Sequence, residues 1–304
     1  MKERCCNMLV KDSLRGVYAP ITTPFLENEA VDYNGLRQNM QVYAQSGIAG
    51  YLALGSNGEN KSLFADEKLK VLEIIVKNRA RSQRVMAGCI AESTAETIHM
   101  AKAAEQLGAD FITLLPPCYF AKQMTDDVLY RYFTEVAENV DIPCLVYCAP
   151  QFSAGIVLSP QLVGRLADHP NIAGIKDSST GNIDTYLEAA PKDFAVLAGS
   201  ANFFIHALEN GATGGIISLA NAFPLLAQQL YGAFVNGDKE QYTALNQKVL
   251  TLNKAVSGKG GVSAVKRAMD LAGLVGGAPR RPLLALDQEI FDEMKAILAS
   301  EQVI

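Results

Sequence analysis

"AAEQLGADFITLLP", residues 103–116, runs from the end of a helical pattern through one glycine into an apolar strand. Gly108 can take the left-handed backbone conformation that closes a helix at low steric cost. The run FITLL after it is apolar at nearly every position rather than at every second one, as in a parallel strand covered on both faces. The unit recurs in "VYAQSGIAGYLALG" (42–55), "LADHPNIAGIKD" (166–177) and "ALENGATGGIISLA" (207–220). Gly47 and Gly211 stand where Gly108 does, and in the third copy His169 and Pro170 end the helix instead.

Extending this reading along the chain gives strands near 17–22, 50–54, 85–89, 111–115, 144–148, 172–176, 195–199 and 215–219. Helical patterns at 66–79, 93–107 and 126–139 lie between some of them. Eight alternations of strand and helix predict an α/β chain folded as a (β/α)8 TIM barrel. A doubly wound open sheet competes, but no GxGxxG turn follows the first strand, so a dinucleotide fold has little support. After the eighth strand only helices are expected, at 224–236, 239–256, 262–271 and 288–298. The predicted organisation is a barrel domain over 12–236 and a C-terminal helical appendage over 237–304.

The 304 residues are 49% hydrophobic and 19% charged, which suits a large core and argues against disorder. The net charge is −5 with no basic cluster, so nucleic acid is not an expected partner. No apolar stretch is long enough to span a membrane. "MKERCCNMLVKDSLRG" lacks the continuous apolar region of a signal peptide, so a cytoplasmic location is expected. The cysteines form no CxxC pair, and His99, His169 and His206 stand far apart, so no zinc site is expected. Cys89, Cys118, Cys144 and Cys148 read as small buried hydrophobes, and Cys5 and Cys6 as part of an exposed arm.

Barrel active sites form at the C-terminal ends of the strands. The second strand is followed by "GSNGEN" (55–60), the fourth by "PPCYF" (116–120) and the seventh by "GSAN" (199–202); Tyr147 lies near the end of the fifth. The sixth ends in Lys176, followed by Asp177 and Ser178. Burying an ammonium behind apolar strand residues costs solvation and favours the free amine, the form a Schiff-base nucleophile needs. An ion pair or a snorkelling side chain is the competing explanation, and the lysine alone does not decide between them. Asp177 is poorly placed as its partner, because adjacent strand residues point to opposite faces. Tyr147 alone would read as a wall residue with a wet hydroxyl. Beside a lysine one strand away, about 4.8 Å distant, its phenol can shuttle protons to and from a bound substrate. "GSNGE" offers backbone N–H groups and short polar side chains that suit a carboxylate, although by itself it reads as a plain polar turn.

Taken together and in this order, "GSNGE", "LVYCAP", "GIKDSSTG" and "LAGSA" resemble the dihydrodipicolinate synthase / N-acetylneuraminate lyase superfamily. "GVYAPITTPF" and "GGIISLAN" fit it too, so the resemblance spans nearly the whole chain. It implies a homotetramer built as a dimer of dimers, with neither metal nor organic cofactor. The implied substrate is a 2-oxo acid, pyruvate free or within a larger molecule, bound as an imine to Lys176. It also implies a proton relay of Ser56, Tyr147 and Tyr119, with Tyr119 reaching into a neighbouring subunit. Ser56 and Asn57 would take the pyruvyl carboxylate, and Gly199 and the Ile217 backbone would line the site.

Synthases of that superfamily carry an arginine shortly after the Y-x-x-P motif, whereas "APQFSAGI" (149–156) has none. With "KDS", "VLAGSA" and "VKRAMDLAGLVGGAPRRPL", the pattern is most similar to 4-hydroxy-2-oxoglutarate aldolases, which would bring Asn57 and Ser178 near a distal carboxylate. The implied activity is carbon–carbon cleavage of 4-hydroxy-2-oxoglutarate to pyruvate and glyoxylate. The alternatives are dihydrodipicolinate synthesis from pyruvate and aspartate semialdehyde, another sugar-acid aldolase of the superfamily, and a 2-oxo acid sensor without turnover.

Overall fold

A computed structural model of the chain describes residues 10–304. Cys5 and Cys6 lie outside the described residues. Eight parallel strands follow one another in sequence order around a closed barrel. They are β1 (Gly16–Pro20), β2 (Gly50–Ala53), β3 (Arg84–Gly88), β4 (Phe111–Leu114), β5 (Cys144–Cys148), β6 (Ile172–Asp177), β7 (Ala195–Ala198) and β8 (Gly214–Ile216). Each is followed by a helix: α1 (Tyr33–Gln45), α2 (Ala65–Asn78), α3 (Thr94–Gln106), α4 (Asp126–Ala137), α5 (Pro160–Ala167), α6 (Ile183–Ala189), α7 (Phe204–Glu209) and α8 (Pro224–Val235). The fold is the expected (β/α)8 barrel, continued by the helices α9 (Lys239–Ser257), α10 (Gly261–Leu271) and α11 (Gln288–Ser300).

The local signals act as their chemistry dictates. Gly47, Gly108 and Gly211 take φ of 77°, 91° and 97° just past their helices. The Ser93 hydroxyl accepts from Glu96 N (3.2 Å) to open α3, and Asp32 accepts from Gly35 N (2.9 Å) to open α1. β1, β2, β4, β5, β7 and β8 are buried at every position, which accounts for their unbroken apolar runs.

β1 ends at Pro20 where the sequence reading had 22, β2, β3, β4 and β7 each end one residue earlier than expected, and two further strand ends bear on the site. β6 continues through Asp177, one residue beyond Lys176. β8 stops at Ile216, and residues 218–221 form a 3-10 turn where a strand to 219 was expected. Ile217 N donates to Tyr18 O (3.1 Å), after which the chain turns and Ala220 N donates back to Ile217 O (3.1 Å). A short turn of this kind is as apolar as a strand, so the composition of "GIISLA" could not separate them.

The chain divides into two compact units. One is Arg84–Ile216 with the segment that ends at Arg15, and it carries β3–β8. The other is Gly16–Gln83 with Ile217–Ile304, so α9, α10 and α11 belong with β1 and β2. The three helices are held by fully buried side chains, among them Val249, Leu252, Val256, Ala268, Met269 and Leu298. Burying each of the larger ones contributes about 1.5–3 kcal/mol. Among the described residues no helix is long and apolar enough to cross a membrane.

Candidate active site

In the first unit, β5 and β6 place Tyr147 and Lys176 opposite each other in register. Parallel partners in register point to the same face, so the two side chains meet. The Lys176 Nζ lies 4.1 Å from the centroid of the Tyr147 ring. Both residues are buried, at 4% and 3% exposure. Tyr147 packs with Ile90, Leu115 and Ala149. Among the described residues Lys176 has no carboxylate partner and the Tyr147 hydroxyl has no hydrogen bond, so the ion-pair explanation of the lysine falls. A desolvated ammonium over an aromatic face gains on the order of 2 kcal/mol, less than a carboxylate would give.

Asp177 is turned away, as the strand alternation requires. Its Oδ1 accepts from Ser179 N (2.9 Å) and Ser179 Oγ (2.5 Å), and Asn182 Nδ2 donates to Ser179 Oγ (2.9 Å). The Asp177 Oδ2 is buried without a partner. Burial raises the pKa of this carboxyl to about 6, against the two Ser179 hydrogen bonds. Burial also pushes up the Cys148 thiol and the Tyr186 phenol, which lie 3.3 Å apart.

The loop that leaves β6 is fixed over Gly199. Ser178 N donates to Cys148 O (2.8 Å), Gly199 N to Asp177 O (2.6 Å), and Ser178 Oγ to Gly199 O (3.4 Å). A Cβ at Gly199 would stand 2.5 Å from the backbone oxygen of Asp177, so only glycine fits there. Tyr119 is placed differently. Glu92 Oε2 accepts from Cys118 N (2.8 Å) and Tyr119 N (2.9 Å), which pins the backbone after β4. The Tyr119 ring itself is 81% exposed and stacks edge-on against Phe120 at 5.0 Å. Cys118 is half-exposed, unlike the buried Cys89, Cys144 and Cys148, because its loop lies on the surface.

In the second unit, Ser56 and Asn57 follow β2 in a loop tied at several points. Gly58 N donates to Gly55 O (3.1 Å), Thr23 Oγ1 to Gly58 O (2.8 Å) and Asn57 Nδ2 to Ser218 Oγ (2.8 Å). The backbone N–H groups of Ser56 and Asn57 have no acceptor among the described residues, and both residues are half-buried. Two such N–H groups on adjacent residues, with a hydroxyl beside them, are the donors that an anion needs. Both backbone groups of Ile217 are engaged as given above, which leaves one carbonyl lone pair.

Glu59, the last residue of "GSNGE", was not foreseen as part of any network. It is buried and takes φ 52°, and its carboxylate accepts from Lys266 Nζ on α10 and from Arg280 N (2.9 Å). Burial pushes the Lys266 ammonium's pKa down, and Glu59 opposes that shift. The two residues are 207 positions apart, so no spacing rule connects them. Ser218, which holds Asn57, was likewise missed; only its place just after the eighth strand could have marked it.

The model of the dihydrodipicolinate synthetase family matches residues 13–301. The 4-hydroxy-tetrahydrodipicolinate synthase of Methanothrix thermoacetophila is 32% identical over 287 residues, covering 93% of this chain and 96% of that one. A protein of Emericella nidulans named "Probable 4-hydroxy-2-oxoglutarate aldolase, mitochondrial" is 33% identical over 280 residues, covering 90% of each. Among solved structures, the chloride-inhibited dihydrodipicolinate synthase of Acinetobacter baumannii, complexed with pyruvate, superposes with a TM-score of 0.90. It is 29% identical, with 96% of this chain and 100% of that chain covered.

Proposed function

Because the chain belongs to the dihydrodipicolinate synthetase family and is a class I carbon–carbon lyase, we propose that it cleaves 4-hydroxy-2-oxoglutarate reversibly to pyruvate and glyoxylate, with Lys176 as the Schiff-base nucleophile. The observation that carries this reading is the unpaired Lys176 amine 4.1 Å from the Tyr147 ring centroid. A nitrogen that no carboxylate holds is free to attack the C2 ketone, and loss of water gives the iminium. Tyr147 takes the proton of the 4-hydroxyl. The C3–C4 bond then breaks, its electron pair moves into the iminium to form the enamine, and glyoxylate leaves. Protonation at C3 and hydrolysis release pyruvate and restore the amine.

Ser56 and Asn57 bind the pyruvyl carboxylate through their unengaged N–H groups, and Ser178 takes the distal carboxylate. Ser56 and Tyr119 relay the proton of Tyr147, Tyr119 doing so in a neighbouring copy of a homotetramer. The exposure of the Tyr119 ring supports that last role. The chain needs no metal or organic cofactor for these steps, because the iminium itself is the electron sink.

The second reading is synthesis of 4-hydroxy-tetrahydrodipicolinate from pyruvate and aspartate semialdehyde, favoured by the name of the Methanothrix relative. The absence of an arginine in "APQFSAGI" favours the aldolase. Pyruvate release, coupled to lactate dehydrogenase, is measured with 4-hydroxy-2-oxoglutarate, N-acetylneuraminate and 2-keto-3-deoxy sugar acids, and condensation with aspartate semialdehyde is measured in parallel. Turnover highest with 4-hydroxy-2-oxoglutarate is expected; efficient condensation with no cleavage of that substrate would replace the first reading by the second.

A further inference from the structure

We propose that Lys266 and Glu59 are positioning residues for the loop that binds the substrate carboxylate, so that the helices after the barrel set the affinity for the 2-oxo acid. The inference rests on the carboxylate role given above to Ser56 and Asn57. Glu59 is two residues past Asn57 in the same tight turn, and Glu59 N donates to Ser56 O (3.1 Å). Its backbone is in the left-handed region at φ 52°, a conformation that costs a non-glycine residue free energy and persists only where something holds it. The hold is the side chain. One carboxylate oxygen meets Lys266 Nζ, and the other accepts from Arg280 N (2.9 Å).

Lys266 is itself fixed from several directions. It is fully buried on α10, donates to Ala278 O (2.9 Å) and lies 4.5 Å from the centroid of the Phe25 ring. Arg280 covers the same ring at 4.4 Å and forms a two-pronged pair with Glu67 (2.6 and 2.7 Å). The strand-like bridge of Phe25 to Ala278 closes the seat. At Gly276 a Cβ would stand 1.9 Å from Lys266 O, so the covering segment approaches as closely as a backbone can.

A buried ion pair is a weak source of stability, because desolvation offsets most of its attraction, and a neutral pair of similar shape often serves as well. What the neutral pair does not reproduce is the fixed aim of Glu59, and with it the orientation of the Ser56 and Asn57 N–H groups. Binding that these groups lend equally to substrate and transition state affects half-saturation and leaves kcat unchanged.

The test is the pyruvate dependence of borohydride trapping on the full-length protein, read as mass-shifted chain, together with thermal unfolding. In Glu59→Gln/Lys266→Met the half-saturating pyruvate concentration should rise roughly tenfold, the order expected when the misaimed Ser56 and Asn57 N–H groups lose one hydrogen bond to the charged carboxylate. Trapping at saturation should equal that of the wild type, because Lys176 is intact. Glu59→Asp keeps both charges while shortening the reach, and it should raise half-saturation in the same direction. An unchanged half-saturation in either folded variant overturns the positioning role while leaving the imine chemistry standing. Absence of an adduct in the wild type overturns the imine reading and this inference with it.

Discussion

Lys176 and Lys266 are both buried lysines, at 4% and 0% exposure, and both lie over an aromatic ring, Tyr147 at 4.1 Å and Phe25 at 4.5 Å. They differ in the next neighbour. Lys266 meets the Glu59 carboxylate, whereas Lys176 has no carboxylate partner among the described residues and its adjacent acid, Asp177, is bound to Ser179 on the other side of the strand. A lysine that meets a carboxylate is committed: its nitrogen is engaged and its place is fixed by that contact. An unpaired one beside a free phenol has its bonding capacity left for a substrate. Position in the fold follows the same division, with Lys266 on a helix after the barrel and Lys176 near the C-terminal end of a barrel strand.

Substitutions break this comparison in a graded order. Lys176→Ala should abolish cleavage altogether, measured as pyruvate release, while leaving the fold intact because no ion pair is lost; normal turnover would end the Schiff-base proposal. Tyr147→Phe keeps the ring under the amine and removes only the phenol, so the rate should fall by roughly 10²–10⁴-fold. A near-normal rate would take the phenol out of the proton transfer.

Lys266→Met should act in the opposite manner. Leaving Glu59 buried without its cation should cost about 3–5 kcal/mol in denaturant unfolding. A stability equal to that of Lys176→Met would erase the distinction between the two lysines.

Asp177→Asn sharpens the comparison at the acid that does not pair with Lys176. The Asp177 carboxyl has a pKa of about 6 in the fold against 3.8 as its ordinary value, so the folded state holds the proton more tightly. Its favourable contribution is therefore complete below pH 4 and is lost as pH rises through about 6. Relative to the Asn variant, wild-type stability should fall by about 3 kcal/mol between those limits and stay level above them. A flat difference across that range would contradict the burial of an unpartnered oxygen.

The barrel was legible because its repeat is local: a glycine-capped helix and an apolar strand fit within about 14 residues, as in residues 103–116. Lys176 and Tyr147 were legible for a related reason, since strand order and strand ends fix which side chains become neighbours. Glu59 with Lys266 was not, because an ion pair across 207 residues leaves no spacing in the sequence. Nor was the end of β8, where the turn bond from Ala220 N to Ile217 O decides what an apolar run cannot. The exposure of Tyr119 agrees with the outward reach that the resemblance implied, but the anchoring of its backbone by Glu92 had no signal in "PPCYF".

The most direct test of the account is a peptide map of the protein after borohydride reduction with saturating pyruvate. The reduced adduct should sit on Lys176 in stoichiometric amount, with Lys266 unmodified. An adduct on Lys266, or no adduct on either lysine, would contradict the claim that the unpaired buried amine is the reactive one.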